Sequence, residues 1–287
     1  MTLLEFKMLE YLNCPICKNK VYLWINACKI TSEDADIPEK IFDMLRCRSC
    51  GLIFINPLPK FNKENLKKLY DREYFNKEYM KFYSINQEKI SCQSNEPFSW
   101  RLNLIEKYKN KGRILDIGCA SGRFLNLARE SGWEVFGVEL SDYVADFAIK
   151  NYHLNVFCGF LEEAKFKDNY FDVVCASDII EHLNDPESFL GEIYRILNKE
   201  GLLYLASPNA SSFYYKFFGL IARYNRRNYF VLPHHIYHFS PLSIKLLLNK
   251  TGFNILKFRL SHSRASNFFM NIFNFNDRMI IIAKKKP

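Results

Sequence analysis

Nowhere do the 287 residues hold the run of about 18 uncharged apolar residues that a membrane-spanning helix needs. The first residues, MTLLEFKMLEYLN, lack the basic head, unbroken apolar run and small-residue cleavage site of a secretory leader. Internal repeats and low-complexity tracts are also missing, which removes solenoids and long flexible linkers from consideration. Acid is in deficit. Against 40 Lys and Arg stand 31 Asp and Glu, and the resulting formal charge of +9 points to an acidic partner. Nucleic acid, anionic lipid and a phosphorylated small molecule all meet that description. Of the nine cysteines, Cys28, Cys92, Cys119, Cys158 and Cys175 are scattered singly, the pattern of small buried side chains in a reducing compartment. A cytoplasmic protein is expected. Aromatic residues, by contrast, are plentiful at 16%, enough to build ring-lined surfaces.

The length suits one α/β domain and a small accessory module. Residues 1–58 contain two Cys-x-x-Cys pairs with the strand-like segments VYLWINACKI and KIFDMLRC between them, and end at Asn56-Pro57-Leu58-Pro59. Residues 59–110 read as a helical connecting segment, with one helix in NKENLKKLYDREYFNKEYMKFY and a second from about Phe98 to Lys109. From residue 111 to 287 strands alternate with helices. RILDIG, WEVFGVEL, NVFCG, FDVVCAS and GLLYLAS are apolar runs; FLNLARESG, DYVADFAIKNY and ESFLGEIYRILNKEG carry helical spacing. Such alternation predicts a mostly parallel sheet covered by helices on both faces. FNILKFRL and RMIIIAKK, joined only by a loop, suit an antiparallel ending.

The most informative stretch is Ile114-Leu115-Asp116-Ile117-Gly118-Cys119-Ala120-Ser121-Gly122, an apolar strand entering a small-residue turn before a helix. Gly118 and Gly122 allow the backbone to approach a ligand closely. The turn lacks the Gly-Lys-Ser/Thr ending of a phosphate-binding loop, so nucleoside triphosphate hydrolysis is not expected. Asp116, ahead of the first glycine, serves a cationic ligand better than a pyrophosphate, and Glu139 ends the next strand where a carboxylate can accept from ribose hydroxyls.

With these residues in place, the segment from Arg113 onward resembles class I S-adenosylmethionine (SAM)-dependent methyltransferases. ILDIGCASGRFL is similar to their first motif, GVELS to their second, and FDVVCASDIIEHLNDPESFLGEIYRILNKEG to the stretch from their fourth strand. The resemblance implies a Rossmann-like α/β sheet and SAM as cofactor. Asp116 and the turn Gly118, Cys119, Ala120, Gly122 would hold its amino-acid part and Glu139 its ribose. Phe160 and Leu161 would flank the adenine, and Cys175, Ala176 and Ser177 would line the floor. Ala120 stands where the family often has a glycine.

Cys14-Pro-Ile-Cys17 and Cys47-Arg-Ser-Cys50-Gly51 match a four-thiolate structural zinc ribbon, whose closed coordination leaves no position for catalysis. For a proton acceptor, Leu232-Pro233-His234-His235-Ile236-Tyr237-His238 is the best cluster, and His234 and His235 are the candidate catalytic pair; capping or backbone bonding is the alternative for each. Asp178-Ile179-Ile180-Glu181-His182 is similar to the metal-binding stretch of ubiquinone-pathway O-methyltransferases, and a polar rim beside the cofactor is the plainer reading. Residues 209–239, rich in aromatics with Lys216, Arg223, Arg226 and Arg227 and no acid, read as an inserted lid or as a basic helix packed on the core. Contact with a membrane surface fits the former.

The ribbon followed by CGLIFINPLPKFNKENLKKLYDREYF resembles bacterial methyltransferases associated with polysaccharide biosynthesis. Sugar C-methyltransferases with zinc sites also resemble it but carry a further C-terminal domain. O-methylation of a sugar or another small or lipid-linked, acidic acceptor in surface glycan synthesis is therefore expected. An rRNA or tRNA methyltransferase using the ribbon for RNA is one rival, disfavoured because no Asn/Asp-Pro-Pro-Tyr/Phe motif is present. A SAM-binding protein without turnover is the other.

Overall fold

The structure is a computed structural model, and it describes residues 13–29, 41–58, 66–67, 96–225, 235–261 and 278–286. His234, most of the helix expected within 62–83 and the stretch 226–234 of the expected lid lie outside those residues.

In chain order the first strands are β1 (Val21–Lys29), β2 (Ile41–Cys47) and β3 (Ile53–Asn56), followed by helix α1 (Glu96–Glu106). Strand β4 (Arg113–Ile117), helix α2 (Arg123–Glu130), β5 (Glu134–Glu139), α3 (Asp142–Tyr152), β6 (Val156–Cys158) and β7 (Phe171–Ser177) then alternate. Helix α4 (Pro186–Ile196), β8 (Leu197–Pro208), α5 (Phe213–Asn225), β9 (Tyr237–His238), α6 (Pro241–Lys250), β10 (Phe253–Ser261) and β11 (Arg278–Lys285) complete the order. The helix expected to run through ILNKEG stops at Ile196, and the next residues already belong to β8.

Two sheets form, with strand orders β1-β2-β3-β9 and β10-β11-β8-β7-β4-β5-β6. The larger is mostly parallel with one antiparallel strand. Side-chain bonds identify that strand as β11. Its last residue, Lys285, donates to the carbonyl of Leu197 at the start of β8, while its first, Arg278, pairs with Asp178, whose amide donates to Ala206 near the end of β8.

The chain divides into two compact units. One comprises Met1–Lys60, Asp178–Leu190 and Leu205–Ile281; the other comprises Phe61–Ser177, Gly191–Tyr204 and Ile282–Pro287. In the second, β4 lies between β5 and β7, pairing Ile114 with both Val135 and Val173. Ile114, Leu115, Val173 and Val174 are fully buried, as expected of a parallel strand covered on both faces. Helix α2 buries Phe124, Leu125 and Ala128 and leaves Glu130 outside, the one-sided spacing of an amphipathic helix. Phe171 sits in an aromatic cluster, edge-on to Phe136, Phe166 and Tyr170 at 4.9–5.4 Å between ring centroids.

In the first unit the small sheet is antiparallel at every junction. Met44, Leu45, Leu52 and Ile53 are its buried centre. Helix α6 begins where the sequence asks it to: Ser240 caps the Ser243 amide, Ser243 returns the bond, and Pro241 occupies the first helical position.

Candidate functional site

The turn after β4 is built from left-handed backbone. Gly118, Ala120 and Gly122 have φ of +67°, +48° and +76°. The amides of Gly118 and Cys119 both donate to the Val138 carbonyl, which ties the turn to the end of β5. The two acids stand at its flanks. Glu139 accepts from the Ala120 amide on one carboxylate oxygen and from the Ser141 amide on the other, both at 2.9 Å. Lone pairs remain on each oxygen for ligand hydroxyls. Loss of hydration raises the Glu139 carboxyl, opposed by those amides.

Asp116 is buried and already has a cation, forming an ion pair with Arg101 of α1. The Arg101 guanidinium lies 3.7 Å from the ring centre of Phe124 and 4.9 Å from that of Tyr204. Burial alone would lower it, but Asp116, with Cys175 and Tyr204, more than offsets this and keeps it charged. Burial raises Asp116, against the pull of Arg101. Asp116, expected to face a ligand cation, thus also has a cation of the protein beside it, and with both acids ionised Asp116, Glu139 and Arg101 would sum to one net negative charge. Arg101 Nε is buried with no acceptor among the described residues, and a ligand carboxylate would supply one. A zwitterionic sulfonium of net charge +1 fits this group of residues.

The remaining expected positions divide by depth. Cys175 and Ala176 are fully buried in β7, and the Cys175 thiol is pushed up to about 12, chiefly by burial. Ser177 and Phe160 are half-buried and Leu161 is buried. Gly122 has a packing role distinct from the ligand approach expected of it: an added Cβ would lie 2.5 Å from Leu154 Cδ1 and 2.9 Å from Ala148 Cβ.

In the other unit the four ribbon cysteines converge. Cys14 Sγ lies 3.6 Å from Cys50 Sγ, and Cys17 Sγ lies 3.4 Å from Cys47 Sγ. All four sulfurs fall within 4.8 Å of one another. Thiolates about 2.3 Å from a tetrahedral zinc would stand roughly 3.8 Å apart, so the cluster fits such an ion. The Cys14 thiol is lowered to about 5, first by its bond with Cys50 and then by the amides of Cys17 and Ile16, against burial.

Comparison with known proteins identifies the family. Residues 90–257 match the methyltransferase domain family, which is more than half the chain. The chain belongs to that family. An uncharacterised protein of Methanocaldococcus jannaschii is 29% identical over 180 residues, covering 62% of this chain and 69% of its own. The ubiquinone biosynthesis O-methyltransferase of Pelagibacter ubique is 32% identical over 101 residues, covering 34% of this chain; the match spans only 42% of that enzyme. A SAM-dependent methyltransferase from Archaeoglobus fulgidus superposes with a TM-score of 0.51 at 25% identity, covering 69% of this chain and 97% of its own. The magnesium protoporphyrin IX methyltransferase of Synechocystis, solved with S-adenosylhomocysteine (SAH), shares the fold at a TM-score of 0.59 and 14% identity, covering 78% and 100%. The protein is a SAM-dependent methyltransferase of Rossmann-like fold.

The methyltransferase holds a second cluster in its first unit. Glu181 is 1% exposed, and one turn of 3-10 helix, Ile180–His182, presents it. Its Oε2 accepts from Ser207 at 3.1 Å, while Oε1 has no partner among the described residues. Burial first, and the charge of Asp178 second, push Glu181 up to about 8. Ligand atoms of Glu181, His182 and His235 lie within 4.8 Å of one another, and the two imidazole rings meet edge to face at 4.5 Å. Asp178 lies outside the 3-10 turn and is held by Arg278 at 2.6 Å. Beyond His235, His238 Nδ1 meets Tyr215 Oη at 2.9 Å. A carboxyl poised near neutrality beside two imidazoles can take up and pass on a proton.

Sequence reading missed Arg101 and the burial of Glu181. The first lies in a helix ahead of the cofactor motifs, with no motif signal to single it out. The second depends on Ser207 and His235, which are distant in the chain.

Proposed function

We infer that this methyltransferase O-methylates a small acidic acceptor, with a sugar unit of a surface glycan as the favoured class, and that its four ribbon cysteines hold one structural zinc. The observation that carries the catalytic reading is the cradle: a left-handed turn joined by amide bonds to Glu139, with Asp116 and Arg101 paired beside it. Bound SAM supplies a methyl group on a sulfonium, so the protein need not activate the leaving group. Arg101 and the turn orient the amino-acid end, and Glu139 accepts from the ribose. A hydroxyl acceptor must lose its proton, and the imidazoles of His182 and His235, beside the Glu181 carboxyl, are the groups suited to accept it. Relatives named for O-methylation support oxygen as the atom modified.

Transfer of label from methyl-labelled SAM to hydroxyl-bearing nucleotide sugars tests this reading. Wild type is expected to transfer label, and Glu181→Gln and His235→Gln to lose about 10²-fold or more in rate while binding SAH as before. Label entering only rRNA fragments would replace the reading with RNA methylation. SAH binding with no turnover on any acceptor would leave a cofactor-binding protein.

A further inference from the structure

A cavity adjoins the second cysteine knuckle in the first unit. It measures about 690 Å³ and is lined by Tyr22, Arg46, Arg48, Ser49, Ser211 and Leu242, among others, with no Asp or Glu. A smaller cavity of about 160 Å³, lined by Trp24, Lys216, Gly219 and Leu220, also has Arg46 in its wall and again no acid. Arg46 therefore borders both spaces, and three cations face them with no carboxylate among the described lining residues.

Arg46 stands on β2 between Tyr22 of β1 and Ile53 of β3. The Arg48 guanidinium lies 5.7 Å from the Tyr22 ring centre, and its amide donates to Lys20. Ser240, at the start of α6, donates its hydroxyl to the Cys50 carbonyl, joining the knuckle to the helix across the cavity rim. Gly219 of α5 packs closely on Trp24 of β1 beside the smaller space, where an added Cβ would lie 2.5 Å from the indole. Among the described residues neither Arg46 nor Arg48 forms an ion pair.

We propose that this cavity binds a diphosphate ester, with Arg46 and Arg48 on the phosphates. Guanidinium forks match phosphate oxygens in pairs, and two of them beside two serine hydroxyls suit a multiply charged anion. The volume lies within the range of small-molecule sites and exceeds what a lone phosphate fills, which leaves room for the esterified group. That the bound ester is the methyl acceptor, or the handle of the acceptor, rests on the function proposed above; the anion site itself does not.

Calorimetry on the zinc-loaded full chain with inorganic pyrophosphate, UDP and farnesyl diphosphate tests the site. The expected result is saturable binding that is tighter for an ester than for pyrophosphate, with UDP favoured if the source is a soluble nucleotide and farnesyl diphosphate if it is lipid-linked. Arg46→Gln with Arg48→Gln should weaken it at least tenfold while zinc content and SAH binding stay as in wild type. Lys67→Gln, a cation outside the cavity lining, should change nothing. Absence of saturable binding to all three probes, equal binding by the double variant, or binding confined to RNA oligonucleotides would overturn the proposal. SAH titrated into the same samples reports on the methyltransferase reading separately.

Discussion

Ala120 and Gly122 share a left-handed backbone but would answer substitution in opposite ways. An L-residue at such a φ costs about 1–2 kcal/mol, whereas glycine adopts it freely and gives back part of that gain as unfolded-chain entropy. Ala120→Gly should therefore stabilise the fold by about 0.5–1 kcal/mol in urea titration. Gly122→Ala combines the same strain with a Cβ driven into Leu154 and Ala148, and should destabilise by about 2–4 kcal/mol. If both variants shift stability in the same direction, the turn is not as described. A glycine at position 120, where the family often has one, would thus relieve that dihedral strain.

At the scale of elements, strand–turn–helix β4–α2 and the two cysteine knuckles were legible because their signals are local. An apolar run meeting small residues, or thiols three apart, declares itself within ten residues. The ribbon pairing follows the same logic, with Cys47 opposite Val21 in the antiparallel register. Zinc analysis should find about one ion per chain, and Cys14→Ser or Cys47→Ser should lose it together with solubility, since a ribbon this small buries too little core to stand without its metal. A stable, metal-free wild-type protein would refute that reading. What stayed hidden were residues whose role is set by distant partners. Arg101 acquires its meaning from Asp116, Phe124 and Tyr204, and Glu181 from Ser207 and His235. Helix periodicity places such side chains on a face but cannot say which polar one is sealed inside.

For the molecule as a whole, two buried groups tilt stability against pH in opposite senses. His238, 1% exposed, is lowered to about 3, first by burial and then by the charge of His182. The unfolded imidazole takes its proton near 6.5, so between about 6.5 and 3 the unfolded chain binds more protons and acid destabilises the fold. Glu181 behaves inversely. The folded carboxyl keeps its proton up to about 8 while the unfolded one releases it near 4.5, so stability falls as pH rises across that window. The two effects oppose each other between 4.5 and 6.5, where urea titrations should find a broad maximum. Glu181→Gln should flatten the alkaline fall and His238→Gln should reduce the acid one, each by a few kcal/mol at most. Unchanged slopes in both variants would place these groups in water.

The cradle's claim on an adenosyl ligand is tested most directly by calorimetric titration of the zinc-replete chain with SAH. The account predicts one site per chain, weakened about tenfold or more by Glu139→Ala, which removes the ribose acceptor and the tie to the Ala120 amide. No heat with SAH or SAM, or wild-type affinity in Glu139→Ala, would contradict it.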